Sequence, residues 1–427
     1  MRVTVVLPLS VALAVLAVAC NGGGEGPRTA TPAPSPSATP AATATPQATP
    51  TPTAAEYPPK VSLTERGVYL IRPDGTGLRH LTPGEDGRYR SSWSPDGSRI
   101  AIAANVGDGR RVSVIDVDGA AELTVFDGSG RGSDWWFGTP LWSPDGQQLA
   151  VPAGPYGEAV GLHYYLVNAD GSGEPIDLFE GWAPAWSPDG SALAFVEYSD
   201  KGVTFKTFDL DTHTATVIER GLGLHYLAWS PDSQRMAYSI QPRLLASEEV
   251  VIIDRDGWNR KVIAEPGSRP EWSPDGEYLA FIGTNRLVTV AKVASGVAPV
   301  QLAPGQVLRW SPEGDALVVW HKQDSAASLS LVSLATGEVL EQVTDLTGQV
   351  VPESRLSLSP DGQRLAFLGC EAGASDPCLY PGDLFVVNTD GTGLEKLVEP
   401  STGIPWGPEW SPDGRYIVFV DGRTQIS

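Results

Sequence analysis

Basic residues are scarce in this sequence. Its 427 residues include 30 Lys and Arg against 51 Asp and Glu, which gives a formal net charge of −21 at pH 7. A surface this acidic repels phosphate backbones, so we expect no nucleic-acid partner. The chain is nevertheless not disordered as a whole, because 41% of its residues are hydrophobic, enough for a sizeable core.

The motifs of common catalytic and metal sites are also missing. The five histidines show no H-E-x-x-H or comparable ligand spacing. Acidic pairs such as Asp116 with Asp118 lack the EF-hand pattern and are interpreted as turn caps. G-x-S-x-G is absent, and we expect no hydrolase domain after the last repeat, which disfavours a serine peptidase. We therefore expect no metal, no cofactor and no catalytic residue.

The apolar run at the start is too short for a membrane span. It extends from Val3 to Val18, whereas a spanning helix needs roughly 20 apolar residues. The run follows one basic residue and ends in small residues before Cys20, which indicates a signal peptide over residues 1–19. Its last letters, LAVAC, resemble a bacterial lipobox, and the resemblance implies that Cys20 is lipidated. An ordinary signal peptide with an incidental cysteine, or an uncleaved anchor helix, are the alternatives.

Residues 20–59 have the composition of a tether. After the cysteine they are almost only Gly, Pro, Ala, Thr and Ser, which cannot bury apolar surface. A Pro-rich chain adds about 3 Å per residue where it is extended, so this segment would span on the order of 100 Å. We expect a disordered tether that joins a lipid anchor to a folded domain over residues 60–427. The protein would then be extracytoplasmic in the cell envelope, either periplasmic or at the cell surface.

Two cysteines remain in the folded part, Cys370 and Cys378. A disulfide is the expected state of such a pair in an exported protein. Two free thiols are the alternative.

A repeat runs through the folded part of the chain. The segment WSPDG, with the variants WSPDS, WSPEG and LSPDG, begins at eight positions: Trp93, Trp142, Trp186, Trp229, Trp272, Trp310, Leu358 and Trp410. The copies are about 45 residues apart on average, which is the period of a propeller blade.

Each copy predicts a tight hairpin followed by a buried strand. In Ser94-Pro95-Asp96-Gly97, Pro presets φ, Asp favours the second central position and Gly takes the left-handed one. The strand after the turn is apolar throughout, as in IAIA from Ile100, which indicates burial on both faces. A third strand ends in a further DG turn, and a fourth is weaker in pattern. Four antiparallel strands per repeat, without helical periodicity, favour a β-propeller.

These WSPDG, L-A-F and DG segments resemble the WD40-like repeats of the TolB propeller family. The resemblance implies an all-β fold, a single β-propeller of four-stranded blades. The first folded segment supplies the last two strands of a blade and the last segment supplies the first two. We expect these ends to pair and close the ring, which gives eight blades. Seven are possible if the unit around Leu358 or Trp310 is displaced.

The connections opposite the hairpins are long and irregular, and we call their side of the ring the loop face. Candidate binding residues are the aromatic and histidine side chains of this face: Trp135, Trp136, Phe137, Tyr156, Trp182, His225, Tyr226 and Trp406. Such rings suit contact with carbohydrate or peptide. The alternatives are that residues 135–137 plug the mouth of the propeller, and that the other tryptophans of this set are structural.

A propeller alone does not specify a function. The favoured hypothesis is a monomeric, non-catalytic binding or scaffold lipoprotein that takes a protein or carbohydrate ligand at its loop face. The alternative is a surface carbohydrate-active enzyme, a lyase or hydrolase, with a metal centre built from His163, His225 or His321.

Overall fold

The computed structural model describes residues 60–82, 87–107, 109–119, 122–132, 135–155, 162–199, 202–294, 298–311, 314–323, 326–334, 339–345, 350–371, 382–399 and 404–422. The single helical segment in these ranges is a 3₁₀ turn at Thr284–Arg286. Within the same ranges, no helix has the length and apolarity needed to cross a membrane. The leader, the tether, Cys20, Tyr156 and Cys378 lie outside the described residues.

The described strands form seven hydrogen-bonded sheets. The eight-stranded sheet divides within β12 into two sets of antiparallel strands, and we number the resulting sets blades 1 to 8. Blades 1 to 4 consist of β4 Arg88–Trp93, β5 Arg99–Asn105, β6 Arg111–Asp116 and β7 Glu122–Asp127; β8 Trp135–Phe137 with β9 Leu141–Trp142, β10 Gln148–Pro155, β11 Leu162–Asn168 and the first half of β12 Ile176–Trp186; the second half of β12, β13 Ala192–Ser199, β14 Gly202–Asp209 and β15 Thr214–Gly221; and β16 Gly223–Trp229, β17 Arg235–Gln241, β18 Glu249–Asp254 and β19 Lys261–Ala264.

The remaining blades continue the series, and the last one joins the two ends of the folded chain. Blades 5 to 8 consist of β20 Ser268–Trp272, β21 Tyr278–Ile282, β22 Leu287–Lys292 and β23 Val300–Pro304; β24 Gln306–Trp310, β25 Ala316–Gln323, β26 Ala326–Ser333 and β27 Val339–Asp345; β28 Val350–Leu358, β29 Arg364–Glu371, β30 Asp383–Asn388 and β31 Glu395–Glu399; and β32 Ile404–Trp410, β33 Ile417–Gly422, β2 Gly67–Ile71 and β3 Arg79–His80.

The predicted closure of the ring is confirmed in blade 8. Strands β2 and β33 pair antiparallel, with Val68 opposite Val420 and Leu70 opposite Val418. All four side chains are buried, so the seam is part of the core. The repeats around Trp310 and Leu358 each form a blade of their own. The all-β propeller expected from the repeat is therefore confirmed.

The repeat tryptophans link neighbouring blades on the inside of the ring. In six of the seven repeat tryptophans the indole Nε1 donates to a backbone oxygen of the preceding first strand: Trp93 to Glu409 (3.2 Å), Trp142 to Ser92 (3.2 Å), Trp186 to Leu141 (3.1 Å), Trp229 to Ala185 (3.0 Å), Trp272 to Ala228 (3.2 Å) and Trp410 to Ser357 (2.9 Å). Several consecutive first strands also contact one another, such as β16 with β20 and β28 with β32, which indicates that the first strands are the innermost ones. The buried Nε1 of Trp310 has no hydrogen-bond partner among the described residues.

The hairpin after each repeat tryptophan is held by its serine. In the first copy, the buried Ser94 hydroxyl donates to Asp96 (2.6 Å) and accepts from the amide of Arg99 (2.9 Å). Gly97 has a φ of 69°, the left-handed value that the turn prediction required. The WSPDS copy places Ser233 at the same position, with a φ of 61°. The turn chemistry predicted from the repeat is thus observed.

A short additional strand, β1 (Val61–Ser62), lies outside blade 7. It pairs in parallel with β31, with Val61 opposite Val398. Just before it, the Lys60 ammonium contacts the carboxylate of Glu395 and the backbone oxygen of Asp74, each at 2.7 Å. The chain therefore enters the ring at the outer edge of blade 7, at the end where the DG turns lie.

Candidate functional site

The first strands carry a repeated β-bulge towards the loop face. Three residues before the repeat tryptophan, the backbone has positive φ at Ala183 (48°), Tyr226 (54°), Arg269 (55°) and Gly407 (38°). The strand pairing shifts register at each of these places. A bulge redirects the side chains near it, so the inner wall of these blades is not a regular alternating strand.

Between blades 4 and 5 the bulges form a cavity of about 300 Å³, which we call the loop-face groove. Its described lining consists of Tyr226, Leu227, Ala228, Arg269, Pro270, Glu271 and Ile282. The lining combines an aromatic ring, one cation and one carboxylate with apolar walls. Such a mixture is typical of small binding sites.

One wall of the groove is a stacked pair. The Arg269 guanidinium carbon lies 4.8 Å from the centroid of the Tyr226 ring, within the range of a cation–π interaction. The two residues occupy equivalent positions in neighbouring blades. The amide of Arg269 donates to the buried Ser239 hydroxyl of blade 4 (2.9 Å), which fixes its strained backbone. The tyrosine ring remains 50% exposed and faces solvent.

Glu271 is the carboxylate of the groove. Burial raises its pKa to about 7, although the positive charge of Arg269 acts in the opposite direction. Its carboxylate makes no hydrogen bond or ion pair with any of the described residues, and Arg269 acts on it only as a nearby charge. A half-buried carboxylate without a partner is costly in a folded protein, and in a cavity it marks a place where a ligand group fits.

Glu409 occupies the same repeat position in blade 8. Like Glu271 it directly precedes the repeat tryptophan, and burial raises its pKa to about 7. Its side chain has accessible surface, yet the surrounding inner strands still withdraw enough solvent to disfavour the charge. It does not line the loop-face groove. The two glutamates therefore share a repeat position and a raised pKa, but Glu409 is more exposed and lies outside the cavity.

Of the residues predicted from the sequence, Tyr226 lines the groove. His225 is its exposed neighbour, with ring centroids 6.2 Å apart. Trp182 lies half-buried on β12, in blade 3. The backbones of Trp406 and Cys370 lie in β32 and β29, and their side chains are outside the described part of the chain. The proposed disulfide to Cys378 consequently stays a prediction.

The cluster of residues 135–137 is not the exposed loop that the sequence suggested. These residues form β8, which pairs with β10. Phe137 is 0% exposed and packs edge-on against Phe126, with ring centroids 5.0 Å apart. Its assignment as a binding residue is wrong, because its ring is part of the core. Trp135 and Trp136 are half-buried, and the Arg131 guanidinium covers the Trp135 ring at 5.1 Å.

The sequence reasoning missed Arg269 and Glu271. A signal for Glu271 was available, because the residue before the repeat position is small or apolar in five copies but charged in three: it is Glu in the copies at Trp272 and Trp410 and Arg in the copy at Trp310. Charged side chains are rare at interior positions of a fold, so a glutamate on an innermost strand is a signal of a special role. The signal for Arg269 was weaker, since nothing in its local sequence indicates the positive φ that places it over Tyr226.

The histidines proposed for a metal centre are spread over three blades. His163 lies in blade 2, where its Nδ1 contacts Asp177 at 3.2 Å. His225 lies on the first strand of blade 4, and the backbone of His321 lies in β25 of blade 6, its side chain being outside the described residues. Among the side chains that are described, no group of three His, Cys, Asp or Glu residues is arranged to hold a metal ion.

No protein-family model matches the chain. Among curated proteins, dipeptidyl-peptidase 5 of Porphyromonas gingivalis is 22% identical over 312 residues, which cover 67% of this chain and 44% of that protein. The uncharacterized peptidase YuxL of Bacillus subtilis is 26% identical over 218 residues, covering 48% of this chain and 31% of that protein. The chain thus spans less than half the length of these two relatives.

Solved structures that resemble this fold belong to several differently named proteins. A chain from a study of two prolyl endopeptidases has a TM-score of 0.52 at 14% identity, covering 73% of this chain and 49% of that one. A eukaryotic initiation factor has a TM-score of 0.51 at 14% identity, covering 84% and 100%. TolB from Acinetobacter baumannii has a TM-score of 0.37 at 19% identity, covering 59% and 62%. At these identities the two matches with a TM-score above 0.5 show the fold alone, and that fold is the β-propeller.

Proposed function

We propose that the protein is an exported, lipid-anchored β-propeller that binds a ligand at the loop-face groove without chemically changing it. The observation that carries the proposal is the Glu271 carboxylate, which has no partner among the described side chains and lines the same cavity as the stacked pair of Tyr226 and Arg269. A fold built only to be stable would gain by placing an apolar residue there.

The backbone around the groove supports a binding role. Tyr226 and Arg269 both have positive φ, a conformation that costs a non-glycine residue about 1 kcal/mol or more. The surrounding strands hold this strain in place and keep the ring and the guanidinium in fixed positions. Such rigidity lowers the conformational entropy that a ligand must overcome on binding.

Substitution of the exposed tyrosine tests the binding site. Panels of immobilised peptides and glycans would be probed with the wild-type protein, with Tyr226→Ala and with Tyr198→Ala. Tyr198 is a matched control, since it is also 50% exposed but lies on β13 away from the groove. For any peptide or glycan that binds the wild-type protein, we expect Tyr226→Ala to weaken the affinity at least tenfold and Tyr198→Ala to leave it unchanged.

Two outcomes would contradict the proposal. One is that no member of either panel binds, or that binding is equally strong after Tyr226→Ala. The other is that mass spectrometry of a bound peptide or glycan shows cleavage by the purified protein, which would favour the enzymatic alternative.

The lipid anchor is a separate part of the proposal and has its own test. In a bacterial host that processes lipoproteins, the wild-type chain should fractionate with membranes, and Cys20→Ser should release it in soluble form. Membrane association of Cys20→Ser would instead indicate an uncleaved leader or another means of attachment. The same preparation would show by intact mass whether Cys370 and Cys378 are oxidised.

A further inference from the structure

The described lining of the loop-face groove includes one carboxylate, that of Glu271. Glu271 lies in the cavity and has no hydrogen-bonding or ion-pairing partner among the described residues. A carboxylate removed from water is stabilised best by a cation at short range, since a neutral donor offsets less of the lost hydration. The cavity therefore provides a place for a positive group.

The cation already present in the groove does not fill that place. The Arg269 guanidinium is stacked on the Tyr226 ring, and its backbone is tied to Ser239 of the neighbouring blade. No nitrogen of Arg269 comes within ion-pair distance of the Glu271 carboxylate. Arg269 lines the groove without pairing with Glu271.

The walls of the groove suit an aliphatic stem that ends in a positive charge. Leu227, Ala228, Pro270 and Ile282 provide apolar surface beside the carboxylate. Lysine and arginine side chains combine a hydrocarbon stem with a charged head and bury the stem readily. A sugar ring would need several hydroxyl and amide partners, and the lining offers mainly one carboxylate and one guanidinium that already stacks on tyrosine.

We propose that the group recognised by the loop-face groove is a lysine or arginine side chain of a basic polypeptide segment, with Glu271 as its counter-ion. This inference rests on the proposed function and specifies its ligand class. The formal net charge of −21 supports it, because an acidic surface raises the rate at which a basic partner arrives.

Binding of this kind is linked to protons. The pKa of Glu271 is raised to about 7, so at neutral pH the carboxyl is partly protonated. Among the described side chains, the ionisable groups around it are Arg269 on its own strand and Tyr226 on β16, with the exposed His225 beside the tyrosine; Ile282 on β21 contributes no charge. The next inner strand, β24, carries Arg309 at the repeat position equivalent to Glu271, and the side chains of residues 306–309 lie outside the described part of the chain. A cationic ligand requires ionised Glu271, so its affinity should rise between pH 6 and pH 8.

The test measures binding of short synthetic peptides to the full mature chain by titration calorimetry at 150 mM salt. The peptides are identical except for one central residue: lysine, arginine, the neutral isostere norleucine, or glutamate. We expect the lysine or arginine peptide to bind at least tenfold more tightly than the norleucine peptide at pH 8. This preference should shrink severalfold at pH 6.

Two substitutions that change the net charge equally separate local from global electrostatics. Glu271→Gln should abolish the preference for the basic peptide and its pH dependence. Glu409→Gln removes a carboxylate with a similar pKa from the same repeat position outside the groove, and it should leave both unchanged. Circular dichroism and thermal unfolding would confirm that both variants are folded.

The outcomes distinguish this inference from the proposed function. If the norleucine peptide or a glycan binds as well as the lysine peptide, and Tyr226→Ala abolishes that binding, the groove is a binding site but not for a cation. If Glu271→Gln and Glu409→Gln weaken the basic peptide equally, the attraction comes from the net charge and the inference is wrong. If neither Tyr226→Ala nor Glu271→Gln affects any ligand, both proposals fail.

Discussion

The indole nitrogen of Trp93 donates a hydrogen bond to the backbone oxygen of Glu409, 316 residues further along the chain, at 3.2 Å. The bond joins blade 1 to blade 8, the blade in which the two ends of the folded chain pair. It has the same form as the bonds between other consecutive blades, such as that from Trp142 to Ser92. The junction of blades 8 and 1 thus has the same inter-blade contact as five other junctions of the ring.

Loss of this bond should destabilise the ring. Trp93→Phe leaves the Glu409 carbonyl without its partner and should lower the free energy of unfolding by about 1 to 3 kcal/mol. Trp310→Phe is the matched control, because the buried Trp310 indole nitrogen has no partner to lose. Urea unfolding followed by far-UV circular dichroism measures both. Equal destabilisation by the two substitutions would show that indole volume matters and the hydrogen bond does not.

Tight packing of neighbouring hairpins gives a second prediction. Gly97 has a φ of 69°, and a Cβ added there would lie 3.3 Å from Cδ of Pro412 in the adjacent blade. Gly190 has a φ of 74°, but its nearest contact would be an ordinary 3.7 Å from Pro144. Both alanine substitutions should cost about 1 kcal/mol for the left-handed backbone. Gly97→Ala should cost about 1 kcal/mol more because of the close contact. A larger loss of thermal stability for Gly190→Ala would contradict this account.

Glu271 should make stability depend on pH in the neutral range. Its pKa is about 7 in the folded protein, above the usual value for glutamate, so between pH 4.5 and 7 the folded state binds more protons than the unfolded state. The free energy of unfolding should therefore fall as pH rises through this window. Glu271→Gln should be roughly 1 to 3 kcal/mol more stable than wild type at pH 8 and similar at pH 4. Chemical unfolding at the two pH values measures this, and a variant that is less stable at pH 8 would refute it.

The hairpin aspartates should make the free energy of unfolding rise with pH in the acidic range, opposite to the effect of Glu271. Hydrogen bonds from Ser94 and Ser98 lower the pKa of Asp96 to about 2. The stability that this carboxylate contributes is present above pH 4 and is lost as pH falls towards 2. Ser94→Ala, which removes a buried hydroxyl, should cost about 1 to 2 kcal/mol at pH 7 and less at pH 2. Ser98→Ala removes an exposed donor to the same carboxylate (2.8 Å) and should cost less at pH 7. A pH-independent cost of Ser94→Ala would contradict the assignment.

Much of the fold could be predicted because the residues that determine each turn are close together in the sequence. Each WSPDG segment determines a turn within a few residues, and Gly97 adopts the left-handed conformation that the turn type requires. The joined blade was predicted from the number of strands at each end of the folded part. The first segment has only the last two strands of a blade and the last segment has only the first two, so together they complete one blade. Both inferences needed no knowledge of contacts between distant residues.

The groove depended on relations between blades that the sequence does not display. Tyr226 was identified as a candidate because it is aromatic, but its partner Arg269 belongs to the next blade and meets it only through two positive φ angles. Phe137 was misassigned because a long connection was read as a loop, whereas its amide donates to Asn105 (2.7 Å) and its ring enters the core. Composition does not distinguish a solvent-facing ring from a buried one.

The point where the chain enters the ring has a mechanical consequence. Tension applied to the chain before Lys60 would first load the contact with Glu395 and the few backbone hydrogen bonds of β1, such as that from the Leu63 amide to the Glu399 oxygen (2.9 Å). The five paired positions between β2 and β33 lie further along the chain and would bear the load only after β1 had peeled away. β1 would therefore yield before the closing seam and spare the ring from moderate pulling forces.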